Sequence, residues 1–240
     1  MSTVSAETQG ELTRMTKQLS LDFGGYQLRQ DACVYCGARA TTRDHVPPRF
    51  LLETPLPDDL LTVPSCRDCN RSFSLDEQYL QVVLAKVGHV PQLMAKVEEG
   101  GVVDRALQRA PALDQRIVDS LEVRSDGRVW LMPERERILR VVQKIAYGLF
   151  ICRYGVRASI GAFSALAVYG PEEEIPQPIV AATHYRPGIR RKPWISVQNG
   201  VFSYLFAKGW FLQDPPLYCL VDLHRTLLCV VACPDPRSKA

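Results

Sequence analysis

The chain has 240 residues, with 29 Lys and Arg against 26 Asp and Glu, and a formal net charge of +3. That length is enough for one large domain or two small ones with an apolar core. The mildly basic balance permits contact with nucleic acid but does not by itself argue for it. No apolar run approaches the roughly 20 residues that span a bilayer, and the polar residues 1–18 lack a secretory signal. We therefore expect a cytoplasmic protein with no membrane partner.

The predicted elements divide the chain into three parts. Residues 1–28 are polar and are expected to form a flexible N-terminal segment. Residues 29–90 hold two cysteine pairs, a proline-rich connection and little periodicity, as in a small module held together by ligands rather than by a broad core. Residues 91–240 predict helices followed by antiparallel strands. The expected fold class is α+β.

Helices are predicted in three places. The first follows Ser74, which forms a capping-box pattern with Glu77, and it stops at Gly88. Short helices follow up to residue 121, broken at Gly100 and Pro111. After a hairpin over 121–132 with a turn at Asp126-Gly127, an amphipathic helix is expected over about 133–154.

The last third of the chain is rich in β-branched and aromatic residues. Strands are predicted at 194–197, 201–207, 217–223 and 226–232, with a hairpin turn at Asn199-Gly200. Antiparallel pairing is the natural outcome, and the long helix is expected to cover one face of the sheet. Three scattered cysteines (Cys152, Cys219 and Cys229) have apolar neighbours and are expected to be inert core thiols, whereas Cys233 is expected to be exposed.

The other four cysteines form two Cys-x-x-Cys pairs. Cys33 and Cys36 make the first, Cys66 and Cys69 the second. Paired in this way in a cytoplasmic protein, they indicate metal ligation before disulfides, and four thiolates give zinc a closed tetrahedron. A closed site leaves no place for water or substrate, so the predicted zinc is structural. The separation of the pairs predicts that a sizeable segment is held between them.

Between the pairs lies Asp44-His45-Val-Pro-Pro, and Asn70 directly follows the last cysteine. The pattern Cys-x-x-Cys, Asp-His-x-x-Pro, Cys-x-x-Cys-Asn resembles the four-cysteine subgroup of the HNH, or ββα-metal, endonucleases. The resemblance covers about residues 33–80. More loosely, residues 62–79 resemble a group of bacterial HNH proteins without an assigned role.

The resemblance implies a role for each matching residue. His45 matches the general base, and Asp44 and Asn70 match the two protein ligands of the catalytic metal. Asp59 stands where the family usually has an asparagine that orients the histidine, and its charge is expected to raise the pKa of His45. Few protein ligands and many waters suit Mg²⁺ or Mn²⁺ at such a site. Arg43 and Arg67 flank the motif and are candidates for holding substrate phosphate.

The expected function is therefore a metal-dependent endonuclease that hydrolyses phosphodiester bonds of DNA. A neutral imidazole at His45 can accept a proton from water near pH 7. Two alternatives stay open at this point. One is a non-catalytic nucleic-acid-binding zinc module; the other is a defence- or toxin-like nuclease effector controlled through its C-terminal region. That region is also where we expect a homodimer contact or a regulatory partner.

Overall fold

The structure is a computed structural model that describes residues 30–88, 93–95, 98, 100–109, 111–123, 125, 129–170, 173–176, 179, 194–208 and 217–237. The expected flexible segment 1–28 and the predicted turn at Asp126-Gly127 lie outside these residues. Helices and antiparallel sheets are both present, which confirms the α+β class. No helix in the described ranges is long and apolar enough to cross a lipid bilayer.

The cysteine-containing part folds as a strand hairpin followed by helix. Strands β1 (Thr42–Val46) and β2 (Leu61–Ser65) pair antiparallel, and their connection holds a 3₁₀ turn at Arg49–Leu51. Helix α1 (Arg67–Arg71) follows β2 directly, and α2 (Ser74–Gly88) continues from it after a short turn. The order of elements in this part of the chain is strand, strand, helix.

The middle of the chain confirms the predicted breaks. Helix α3 (Val102–Gln108) has Gly101 as its N-cap, and α4 (Pro111–Asp119) begins on its proline, which needs no N–H partner in the first turn. Strands β3 (Leu121–Val123) and β4 (Val129–Leu131) form the predicted hairpin. Helix α5 (Arg135–Tyr154) is the predicted long helix, and it ends at Gly155 with a φ of 66°.

The C-terminal region is a five-stranded antiparallel sheet. Its strands are β5 (Ser164–Tyr169), β6 (Ile195–Gln198), β7 (Phe202–Lys208), β8 (Leu217–Leu223) and β9 (Leu227–Cys233), in the spatial order β5-β9-β8-β7-β6. The four predicted strands are confirmed. Strand β5 was not predicted, because its alanines carry little β-propensity. Cys233 is 2% exposed at the end of β9, so the expectation that it is exposed is wrong.

One apolar core runs through both regions. Helix α5 packs on α2, β1 and β2 and also on β5, β8 and β9. The buried apolar residues of the described ranges form a single cluster that includes both Val34 and Cys233. The hairpin is too small to bury its apolar residues by itself, so they are buried against the apolar face of α5. The boundary that we drew at residue 90 therefore crosses a shared core.

The sheet also holds the connection between β1 and β2. Gln198 accepts a hydrogen bond from the Glu53 N–H at 2.9 Å and donates to the Glu53 and Pro55 carbonyls at 3.0 and 3.4 Å. The His224 ring lies 2.9 Å from the Leu51 carbonyl oxygen. The C-terminal sheet thus fixes the path of the chain that follows His45.

Candidate functional site

The four paired cysteines meet in one cluster. The thiol sulfurs of Cys33, Cys36, Cys66 and Cys69 all lie within 4.8 Å of one another. The first pair sits in a tight turn, where the Gly37 N–H donates to the Cys33 carbonyl at 2.9 Å and Gly37 adopts a φ of 80°. The second pair opens α1, where Cys66 is the N-cap and its sulfur accepts from the Cys69 N–H at 3.4 Å. The whole hairpin is held between the two pairs, as their separation predicts.

The geometry and the chemistry of the cluster fit a metal ion. A tetrahedral zinc with bonds of about 2.3 Å places its sulfurs about 3.8 Å apart, and Cys36 and Cys66 are 3.7 Å apart. Burial raises the pKa of the Cys33 thiol, but backbone N–H groups led by that of Cys66 outweigh it and lower this pKa to about 6. Burial and the neighbouring thiols raise the pKa of Cys69. A bound cation is what would allow all four thiols to ionise together.

Asp44 lies on the inner face of β1, where it is 5% exposed. Its Oδ1 and Oδ2 atoms are 3.2 and 2.9 Å from the Lys144 ammonium, and Oδ2 also accepts a hydrogen bond from the Tyr35 hydroxyl at 2.7 Å. The same ammonium lies 2.6 Å from Oε1 of Glu77 and 4.9 Å from the centre of the Phe73 ring. Asp44 is therefore enclosed in a network that joins β1, α2 and α5.

The network sets the protonation of its members. Burial is the largest cause that raises the pKa of Glu77, and the Lys144 charge opposes it. Burial and the charge of Asp44 raise the pKa of Tyr35 well above its usual value, which keeps the phenol a neutral hydrogen-bond donor. The capping role expected of Glu77 is not what the structure shows: Ser74 Oγ donates to the Arg71 carbonyl, and the Glu77 carboxylate binds Lys144.

His45 faces the opposite side of the strand. Side chains alternate across a strand, so Arg43 and His45 share the outer face and Asp44 points inward. Arg43 is exposed and donates to Thr62 Oγ1 at 2.7 Å, and Thr62 is the cross-strand partner of His45. Partial burial is the main cause that lowers the pKa of His45, followed by the charge of Arg49, with Asp44 opposing. The predicted rise of this pKa is therefore not found, and the neutral imidazole is favoured.

The remaining predicted residues are placed as follows. Asp59 is exposed on the turn before β2, and it is not among the charges that act on the pKa of His45. Asn70 contacts the inner face of β1, where its Nδ2 donates to Thr42 Oγ1 at 3.3 Å. Arg67 is the exposed first residue of α1. The structure thus brings Asn70 to the same face of β1 as Asp44, and leaves His45 on the other.

Four residues of this site were missed from the sequence. They are Tyr35, Arg49, Glu77 and Lys144. One signal was available: Lys144 stands inside the apolar stripe of α5, beside Val141 and Ile145, and a lysine on a buried face is nearly always paired. The position of Arg49 depends on the turn after Pro48, which local pattern does not predict.

Comparison with protein-family models, with curated proteins and with solved structures finds no match to this chain.

Proposed function

We propose that this protein is a nuclease that hydrolyses phosphodiester bonds of nucleic acid, with His45 as general base. The observation that carries the proposal is the setting of His45 on the outer face of β1. The ring is partly exposed, its pKa is lowered, and the exposed cations Arg43 and Arg49 act on it. A neutral base on which two guanidinium charges act suits a reaction at a phosphate.

We assign zinc to the cluster of Cys33, Cys36, Cys66 and Cys69. Bound there, zinc supplies structural cross-linking, because four thiolates complete its coordination. It would tie the turn before β1 to the start of α1, so the hairpin keeps its shape with little core of its own.

In the proposed reaction His45 accepts a proton from the attacking water. The water oxygen bonds to phosphorus while the bond between phosphorus and the 3′ oxygen breaks, and the departing oxygen takes a proton from solvent to become the 3′-hydroxyl. Arg43 and Arg49 neutralise the charge that builds up on the phosphate oxygens. The HNH resemblance implies DNA as substrate, with 5′-phosphate and 3′-hydroxyl products.

The Mg²⁺ or Mn²⁺ ion expected at Asp44 and Asn70 does not fit the arrangement of these two residues. Both Asp44 oxygens contact the Lys144 ammonium, and Oδ2 also accepts a hydrogen bond from Tyr35. The Asn70 amide donates a hydrogen bond to Thr42 Oγ1. Mg²⁺ keeps several waters, and a carboxylate that is 5% exposed offers them no room. No step of the proposed reaction is routed through such an ion.

The occupied Asp44 carboxylate favours a second candidate. A zinc module that binds nucleic acid without cutting it would keep the exposed arginines and need no open metal site. This candidate and the nuclease differ in one measurable property, which is cleavage that depends on His45.

The test is a cleavage assay on plasmid DNA and on RNA, in metal-free buffer and with added Mg²⁺ or Mn²⁺. His45→Ala should lower the rate by about 10²- to 10⁴-fold, while zinc content and circular dichroism stay unchanged. Asp58→Ala, an exposed neighbour of Asp59, is the matched surface control. The wild-type rate should fall as pH drops below the lowered pKa of His45, because the imidazolium cannot accept a proton.

Two results would decide against the nuclease. Equal cleavage by wild type and His45→Ala would place the base elsewhere. Binding of nucleic acid without cleavage under any of these conditions would establish the binding module instead.

A further inference from the structure

The Lys144 ammonium is surrounded as a bound cation would be. Two carboxylates approach it, Asp44 at 2.9 Å and Glu77 at 2.6 Å. The face of the Phe73 ring covers a further side at 4.9 Å. Lys144 is 2% exposed, so water does not complete the shell. The buried ammonium therefore has two carboxylates and one aromatic face as its nearest described neighbours.

Both oxygens of the Asp44 carboxylate also have partners within the protein. Oδ1 and Oδ2 both lie within hydrogen-bond distance of the ammonium, and Oδ2 accepts from Tyr35 as well. An anion this deeply buried is stable only when it is paired and hydrogen-bonded. Lys144 and Tyr35 satisfy both conditions without any added ion.

The position of Lys144 is fixed by the backbone of α5. Gly148, four residues further along the helix, lies against Val46, which is two residues beyond Asp44 on the same face of β1. Four helical residues rise about 6 Å and two strand residues about 6.6 Å. The Gly148–Val46 and Lys144–Asp44 contacts therefore have nearly the same spacing along α5 and along β1. Packing of α5 against β1 thus places the Lys144 ammonium at Asp44.

We propose that the Lys144 ammonium is a built-in cation that takes the place of a divalent ion between Asp44 and Glu77. The folded wild-type protein accordingly binds no divalent ion at this pair of carboxylates. Removal of the ammonium turns the same pair into a divalent-cation site. The inference does not rest on the proposed nuclease, since it concerns what Asp44 binds and not what His45 does.

The test measures the binding of Mn²⁺ alone to the full-length, zinc-loaded protein, with free Mn²⁺ followed by electron paramagnetic resonance. Wild type and Asp44→Asn should take up the same amount. Lys144→Ala should bind one more Mn²⁺ per chain, and Lys144→Ala/Glu77→Gln should lose it again. Arg140→Ala is the matched control: it removes a cation of α5 that contacts Asp76, but Asp76 stays paired with Arg137, so no Mn²⁺ should be gained.

Two results would overturn the proposal. One is a Mn²⁺ ion bound by the wild type and lost in Asp44→Asn; the other is a folded Lys144→Ala that binds no additional Mn²⁺. If Lys144→Ala does not fold, the comparison of wild type with Asp44→Asn decides alone. Absence of nuclease activity has no bearing on these outcomes, and Mn²⁺ bound at Asp44 would leave the role of His45 intact.

Discussion

The contact between Gly148 and Val46 gives a prediction in which the same substitution changes sign with its background. A Cβ atom on Gly148 would lie 2.6 and 3.0 Å from the two Val46 methyl carbons and 3.4 Å from its Cβ. Ordinary carbon contacts begin near 3.5 Å, so the overlap with the nearer methyl is about 1 Å. Truncation of Val46 to alanine removes both clashing methyls.

The magnitudes follow from two opposing effects. Alanine in a helix interior is about 1 kcal/mol more favourable than glycine, whereas overpacking a core costs about 1–3 kcal/mol. Gly148→Ala should therefore lower the free energy of unfolding of the wild type by up to about 2 kcal/mol. In the Val46→Ala background it should raise this free energy by about 1 kcal/mol, so the coupling between the two sites is about 1–3 kcal/mol.

The assay is urea unfolding of the zinc-loaded protein, followed by circular dichroism for the four members of the cycle. Val63→Ala is the matched control, because it truncates a buried valine of β2 whose atoms are not those that a Cβ at Gly148 would clash with. Gly148→Ala should still destabilise that background. Additive effects of Gly148→Ala and Val46→Ala, to within about 0.5 kcal/mol, would refute the close approach of α5 to β1.

Three further predictions concern the contacts that hold the hairpin. Lys144→Met leaves the buried Asp44 and the partly buried Glu77 without their cation and should cost about 3–5 kcal/mol in urea unfolding. Arg140→Met breaks a half-exposed pair and should cost no more than about 1 kcal/mol. Folding raises the pKa of Glu77 above its usual value of 4.5. Between pH 4.5 and the raised pKa, the Glu77 carboxyl is therefore more protonated in the folded protein than in the unfolded chain. The free energy of unfolding should therefore fall as pH rises from 4.5 to the raised pKa; urea titrations across this range should show that slope in wild type and not in Glu77→Gln. Gln198→Ala removes three hydrogen bonds to the β1–β2 connection and should speed hydrogen exchange at the Glu53 amide; unchanged protection there would contradict the anchoring.

The helices and strands were largely predictable because their signals are local. The stripe of α5, the Asn199-Gly200 turn and the β-branched strands 217–223 and 226–232 each lie within about twenty residues of chain. Strand β5 was not predicted, because Ser164–Tyr169 is extended through its pairing with β9 and not through the β-propensity of its own residues.

The site was predictable only in part, for a physical reason. The cysteine cluster follows from spacing, since two Cys-x-x-Cys pairs can offer four thiolates to one ion. The role of Asp44 does not, because its partner Lys144 comes from a helix 100 residues away in sequence. A motif shows which residue types are close together along the chain. Whether a carboxylate binds a metal ion or an ammonium group depends on which distant side chain the tertiary fold places beside it.

That separation has a consequence for the order of events during synthesis. A ribosome adds about 5–20 residues per second, so Lys144 emerges about 5–20 s after Asp44. The fourth cysteine, Cys69, emerges much earlier. During this interval the nascent chain has all four thiols that could bind a metal ion. Asp44 still lacks the Lys144 ammonium, the positive charge that stabilises its carboxylate when it is buried. The four-cysteine cluster can close first, and the hairpin packs against α5 only after that helix has been made.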